Sequence, residues 1–173
     1  MGSRRRFLVS GGAAVAALAA VSGWRALAAG TANAANAGKP AETFEVVRSD
    51  AQWRQMLNAS QYSVLRQEGT ERPYSSPLND EHRAGIFACA GCQLDLFSSR
   101  TKFDSHTGWP SFWAPLANAV GTTQDVSFGM VRTAVHCHRC GGHLGHVSDD
   151  GPKPTGLRYC MNGVAMNFTP GAA

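Results

Sequence analysis

Cys89-Ala90-Gly91-Cys92 and Cys137-His138-Arg139-Cys140 are two C-x-x-C pairs in one chain. The pairing predicts a tetrahedral four-thiolate metal site, since each tight turn supplies two sulfurs and two turns complete the shell. Glycine interrupts the first pair at Gly91 and follows the second at Gly141 and Gly142, as expected where a backbone bends around an ion. The 44 residues between Cys92 and Cys137 exceed the spacing of a compact ribbon. The ion is therefore expected to clamp two separate hairpins and close a long loop. Four thiolates leave no open position, so one structural zinc ion is expected.

The pattern around the pairs is that of short strands. Ile86-Phe87-Ala88 leads into the first pair, and Leu94 and Leu96 line a strand leaving it. Met130 to Val135 leads into the second pair. Leu144 to Val147, Tyr159 to Asn162 and Val164 to Phe168 are further runs, separated by Gly and Pro. Upstream, Ser49-Asp50-Ala51-Gln52 and Asn58-Ala59-Ser60-Gln61 read as capping boxes. The first opens a helix with Trp53, Met56 and Leu57 as its stripe; the second opens one with Tyr62 and Leu65, stopped by Gly69. The expected fold is mainly β: two antiparallel sheets or a small barrel-like domain, with short N-terminal helices and a four-cysteine zinc site.

The chain of 173 residues opens on Met1-Gly2-Ser3-Arg4-Arg5-Arg6-Phe7-Leu8 and an Ala/Gly/Val/Leu run, and Ala26-Leu27-Ala28 has the form of a cleavage site. Residues 1–28 therefore resemble a twin-arginine export signal, cleaved near Ala28, which implies a periplasmic or extracytoplasmic protein. A membrane anchor is the competing reading, but the apolar run is short of the roughly 20 residues a span requires. Residues 29–48, Ala/Asn/Thr/Gly-rich from Gly30 to Ala41, are expected to form a disordered tether, with the folded domain at 49–170. The whole chain carries 16 Lys+Arg against 12 Asp+Glu, and the leader holds Arg4, Arg5, Arg6 and Arg25 with no acid. The mature chain is thus balanced at 12 against 12, which removes the case for a nucleic-acid partner. Export makes two disulfides the alternative to a metal. A disulfide within C-x-x-C closes a very small ring and is usually redox-active, however, and no βαβ frame accompanies these pairs.

Cys160 is the one cysteine outside the pairs. A buried inert thiol is the plain alternative. In a strand, however, Arg158, Cys160 and Asn162 share one face, which gives a thiolate a polar seat, while Tyr159 and Met161 face the core. A lone thiol near histidines is a candidate nucleophile. His143-Leu144-Gly145-His146 supplies two imidazoles; a bulge at Gly145 would let both serve one site. His82, His106, His136 and His138 read as loop or surface residues, the last two flanking a metal ligand. Gly108-Trp109-Pro110-Ser111-Phe112-Trp113 is either a core plug or the aromatic wall of a pocket for a soft methyl or sulfur group.

Taken together, the two C-x-x-C pairs, Lys102-Phe103-Asp104-Ser105, Gly108-Trp109-Pro110-Ser111-Phe112, His143-Leu144-Gly145-His146-Val147 and Arg158-Tyr159-Cys160-Met161-Asn162 resemble the B-class methionine sulfoxide reductases, from about Asp50 to Phe168. The resemblance implies two antiparallel sheets, a zinc remote from the active site, and thiol-dependent reduction of protein-bound methionine-R-sulfoxide. It implies that Cys160 attacks the sulfoxide sulfur and ends as a sulfenic acid. His143 and His146 would help protonate the oxygen that leaves as water, Asn162 would hold the site, and Trp109, with Phe112 and Arg158, would contact substrate. The expected partners are oxidised exported proteins and a thioredoxin-like or small-thiol reductant, and the expected state is a monomer. Three positions depart from the family pattern. Ser105-His106-Thr107 offers no second redox cysteine, Ser148 stands where phenylalanine is usual, and Gly163 stands where serine is usual. Two readings from other classes use only the paired cysteines: a zinc-ribbon binding module, and a rubredoxin-like iron protein.

Overall fold

The computed structural model describes residues 42–173. The expected leader and the first part of the tether lie outside them. Helix α1 (Asp50–Met56) begins at Ser49, whose hydroxyl accepts from the Gln52 amide while the Gln52 side chain accepts from the Ser49 amide. Helix α2 (Ala59–Gln67) repeats this reciprocal cap with Asn58 and Gln61. Both boxes stand where their spacing predicts. The stop of α2 differs by one residue: Glu68, not Gly69, takes the left-handed conformation (φ 56°), and the Gly69 amide donates to the Ser63 carbonyl. Trp53, Leu57, Tyr62, Val64 and Leu65 are buried, whereas Met56, expected in the stripe, is exposed. Two guanidiniums face the Trp53 ring, Arg48 at 5.5 Å and Arg66 at 4.9 Å.

Among the described residues nine strands follow: β1 (Gly85–Cys89), β2 (Asp95–Ser98), β3 (Lys102–Phe103), β4 (Ser111–Phe112), β5 (Val120–Asp125), β6 (Arg132–Cys137), β7 (His143–Ser148), β8 (Arg158–Met161) and β9 (Met166–Pro170). They form two antiparallel sheets, a three-stranded one in the order β2-β1-β9 and a six-stranded one in the order β3-β4-β8-β7-β6-β5. Among the described residues no helix is long and apolar enough to cross a membrane.

Aromatic side chains join the sheets. Phe97 of β2 stacks on Phe112 of β4 at 4.3 Å, and Phe87 of β1 meets Phe112 edge-on at 5.0 Å. Such pairs add about 1 kcal/mol each beyond the area they bury. Leu96, Val135, Leu144 and Met161 complete the fully buried layer. Phe112 is therefore a core residue with no exposed surface, which removes it from the substrate-contacting set expected above.

Two segments depart from the sequence-based reading. Val46 donates its amide to the Arg139 carbonyl at 3.0 Å, Phe44 meets the His136 ring edge-on at 5.6 Å, and Glu42 lies 3.0 Å from His136 Nε2. Residues 42–48, expected in the disordered tether, are thus fastened along the second cysteine pair, because Phe44 and Val46 have apolar surface to bury there. The run from Met130 enters β6 only at Arg132; a 3₁₀ turn at Ser127–Gly129, with Phe128 left-handed (φ 55°), leaves Met130 and Val131 outside the ladder.

Candidate active site and metal centre

The four paired cysteines converge. Cys89 ends β1 and Cys92 lies in the turn after it; Cys137 ends β6 and Cys140 lies in the β6–β7 turn. Their sulfurs all lie within 4.8 Å of one another, with Cys89 and Cys140 3.7 Å apart and Cys92 and Cys137 3.5 Å apart. A Zn–S bond of about 2.3 Å requires tetrahedral edges of about 3.8 Å, so the donor set fits a tetrahedral ion. A disulfide requires about 2.05 Å, and all five cysteines are free. The centre joins a hairpin of the small sheet to one of the large sheet, the clamp that the 44-residue spacing predicts. Crowding sets the thiols against one another: hydrogen bonding with Cys137 pushes Cys89 up and pulls Cys92 down. A bound cation would relieve that conflict by holding all four sulfurs as thiolates.

The chain around the centre serves it. The Gly91 amide donates to Cys89 Sγ at 3.4 Å. After each pair one residue turns left-handed, Gln93 (φ 59°) and Gly141 (φ 67°). The glycine that the first turn was expected to need, Gly91, is not the left-handed one. Gly141 is also required for space, because a Cβ there would come within 2.4 Å of Phe44. Arg66 of α2 donates to the Cys140 carbonyl at 3.1 Å, which ties the helices to the centre.

Cys160 lies elsewhere, half-buried on β8. Its register partner on β7 is His146 and on β4 is Ser111, so all three side chains share one face. The His146 Nε2 lies 2.8 Å from Asp125 Oδ2 of β5. Asp125 also accepts from Arg132 at 2.6 Å and from the Ser127 amide at 2.9 Å. Its carboxyl is held below the usual range, first by Ser127 and then by His146. The imidazole beside the sulfur is thus oriented by an ionised carboxylate.

His143 has a different place. Between Val135 and His136 of β6 the β6–β7 register slips, and Leu144 on β7 is left without a partner. The bulge expected at Gly145 is therefore one residue earlier, and it does bring the two imidazoles together, edge-on at 5.4 Å. Gly145 itself allows β7 to approach β8; a Cβ there would sit 2.2 Å from the Cys160 carbonyl. His143 is buried, and burial, with the nearby His146, pulls its pKa down to about 4. It is neutral at neutral pH.

On its other side the sulfur meets hydroxyls. Thr107 Oγ1 lies 3.7 Å from Cys160 Sγ, Ser105 Oγ lies 2.8 Å from Thr107 Oγ1, and Ser111 Oγ lies 2.7 Å from Ser105 Oγ. Ser111 also donates to the Trp109 carbonyl at 3.1 Å. Each hydroxyl both donates and accepts, so the chain can point away from a thiol or towards a thiolate without moving an atom heavier than hydrogen.

Arg158 is forked onto Asp150, with bonds of 2.9 and 2.7 Å. That bond holds its pKa up, and Cys160 adds to the effect. Asn162 sits past the end of β8 and is buried, its side chain occupied: Nδ2 donates to the Leu144 carbonyl and Oδ1 accepts from the Glu71 amide, both at 2.9 Å. It ties the Leu144 bulge under the histidines to the end of β8. Trp109 is half-buried, and its Nε1 donates to the Glu71 carbonyl at 3.1 Å. Glu71 also accepts from the Gly163 and Val164 amides, at 2.6 and 3.0 Å. One residue thereby fixes the indole, Asn162 and the turn after β8.

Asp125, Thr107 and Glu71 went unseen in the sequence reading. They lie 35, 53 and 89 residues before Cys160 and are brought to it only by strand register and loop closure.

Comparison with known proteins agrees with this architecture. The SelR domain profile matches residues 57–170. Three similar proteins carry the name peptide methionine sulfoxide reductase MsrB. The Bradyrhizobium diazoefficiens protein is 53% identical over 127 residues, 73% of this chain and 91% of its own length. That of Pseudomonas putida strain W619 is 55% identical over 120 residues, 69% of this chain and 90% of its own. That of Agrobacterium fabrum is 51% identical over 127 residues, 73% of this chain and 94% of its own. The two-sheet fold, the four-cysteine centre and these matches together place the chain in the SelR-domain family of B-class methionine sulfoxide reductases, oxidoreductases acting on sulfur.

Proposed function

We propose that this chain reduces protein-bound methionine-R-sulfoxide to methionine, with Cys160 as nucleophile, and that it repairs exported proteins. The observation that carries the chemistry is the seat of Cys160: a thiol outside the metal centre, opposite an aspartate-paired imidazole and at the end of a hydroxyl chain.

The sulfoxide oxygen is a poor leaving group until it is protonated, so an acid must stand beside the thiolate. The Cys160 thiolate attacks the sulfoxide sulfur. Two protons reach the oxygen, which departs as water and leaves a Cys160–sulfonium bond. A water then takes the Cys160 sulfur, releasing the thioether and one proton. Cys160 remains as the sulfenic acid, two electrons more oxidised, and methionine is two electrons more reduced. Two external thiols restore Cys160, yielding a disulfide and water. His146 is the proton donor, since it faces Cys160 and has its carboxylate partner. His143, neutral and buried behind it, orients the pair. Trp109 contacts the methyl group of the substrate, and Arg158 borders the site.

The four-thiolate centre holds zinc, through Cys89, Cys92, Cys137 and Cys140. Zinc there would offset part of the thiolate charge and fasten the sheets, and would take no part in the redox step. The arginine-rich leader of residues 1–28 supports export by the twin-arginine route to the periplasm, where a thioredoxin-like protein or a small thiol would serve as reductant and the enzyme would act as a monomer.

The test is turnover of a peptide carrying separated R and S methionine sulfoxides, with dithiothreitol as reductant. The reading predicts turnover of the R form alone. Reduction of the S form, or of neither, contradicts it.

A further inference from the structure

Among the described residues seven large apolar side chains are exposed, and four of them lie within Val126–Val131. Val126 is 66% exposed, Phe128 91%, Met130 47% and Val131 74%. These residues form the tip of the β5–β6 hairpin, because Asp125 and Arg132 are the last paired residues of its ladder. The tip carries no charge, and the Asp125–Arg132 pair at its base neutralises itself.

Its position is informative. Asp125, which starts the tip, contacts His146, and His146 stands opposite Cys160. The apolar tip thus begins one residue after the carboxylate that holds His146, the register partner of Cys160. It is also held in an uncommon conformation: Phe128 has φ 55°, a region that bulky residues rarely adopt and that costs of order 1 kcal/mol or more. Four exposed apolar side chains gathered at one hairpin tip are the kind of apolar patch that marks an interaction site.

We propose that Val126, Phe128, Met130 and Val131 form a docking surface for the polypeptide around the oxidised methionine, gripping apolar residues that flank it in an unfolded chain. The proposal rests on the reading of Cys160 as a sulfoxide reductase. Methionine resides mostly in cores, so its sequence neighbours are rich in apolar residues. Those neighbours become accessible when oxidation disrupts the core around it. A surface beside the sulfur that binds them selects damaged, unfolded chains over folded ones.

The test compares three substrates with dithiothreitol: N-acetyl-methionine-R-sulfoxide, a peptide whose sulfoxide is flanked by Leu and Phe, and one of equal length flanked by Ser and Gly. The full chain is compared with the triple variant Phe128→Asn, Met130→Ser, Val131→Thr, Asn being tolerant of the left-handed position. The parent enzyme should show a KM about tenfold lower for the Leu/Phe peptide than for the Ser/Gly peptide, the effect of burying about one apolar side chain. The variant should lose that preference while keeping its activity on N-acetyl-methionine-R-sulfoxide and its melting temperature. An enzyme active on the small substrate but indifferent to the flanks, or a variant that keeps the preference, overturns the surface alone. Absence of turnover on every substrate overturns the proposed reaction, and this surface with it.

Discussion

Cys89, Cys137 and Cys140 are buried and their sulfurs meet one another, with Cys92 at the edge of the same cluster. Cys160 is half-buried and meets a hydroxyl and an imidazole-bearing strand. The first group closes a shell of sulfurs set at two strand ends and the two turns that follow them. The second leaves one sulfur open on a face whose neighbours can give or take protons. In the function proposed above one residue type serves two ends in one domain, and the surroundings decide which: enclosure by like groups suits cysteine to be a ligand, and exposure beside an acid suits it to be a nucleophile.

The contrast is broken most severely by removing a ligand. Cys137→Ser should lose the metal and lower the melting temperature by more than about 10 °C, since binding energy at such centres is largely folding energy. Metal analysis and calorimetry check this. A variant without metal that melts like the parent would make the four-cysteine centre dispensable and erase the distinction.

A smaller effect is expected on the open side. Asp125→Asn keeps a polar partner for Arg132 but removes the carboxylate that orients His146. It should lower kcat with dithiothreitol by about 10- to 100-fold and shift the pH profile, with metal content and melting temperature little changed. An unchanged pH profile would reduce Asp125 to a fold-supporting residue.

Much of the closed region was legible from sequence because its information is local. Two C-x-x-C pairs and two capping boxes each lie within a few residues, and each appears where its spacing places it. The open region was legible only in part. Cys160 stood out by subtraction and the histidines by their motif. Asp125, Thr107 and Glu71 carry no local mark and depend on register across the large sheet. Phe112 was misplaced because a Gly/Pro-flanked aromatic run suits a core plug as well as a pocket wall, and only burial separates them. Asn162 lies one residue past the end of β8, so strand alternation does not by itself fix its face; its bonds to Leu144 and Glu71 come from long-range closure. The 42–48 segment was assigned by composition, which does not reveal that Phe44 and Val46 have a surface to meet.

The central claim is that oxidation is confined to Cys160 while the paired cysteines stay with their ion. A single turnover without reductant, followed by mass spectrometry of the intact protein and its peptides, tests it most directly. The account predicts one added oxygen, or its dimedone adduct, on the Cys160 peptide, with the metal still bound. A disulfide joining Cys160 to Cys89, Cys92, Cys137 or Cys140, with the metal released, would contradict it.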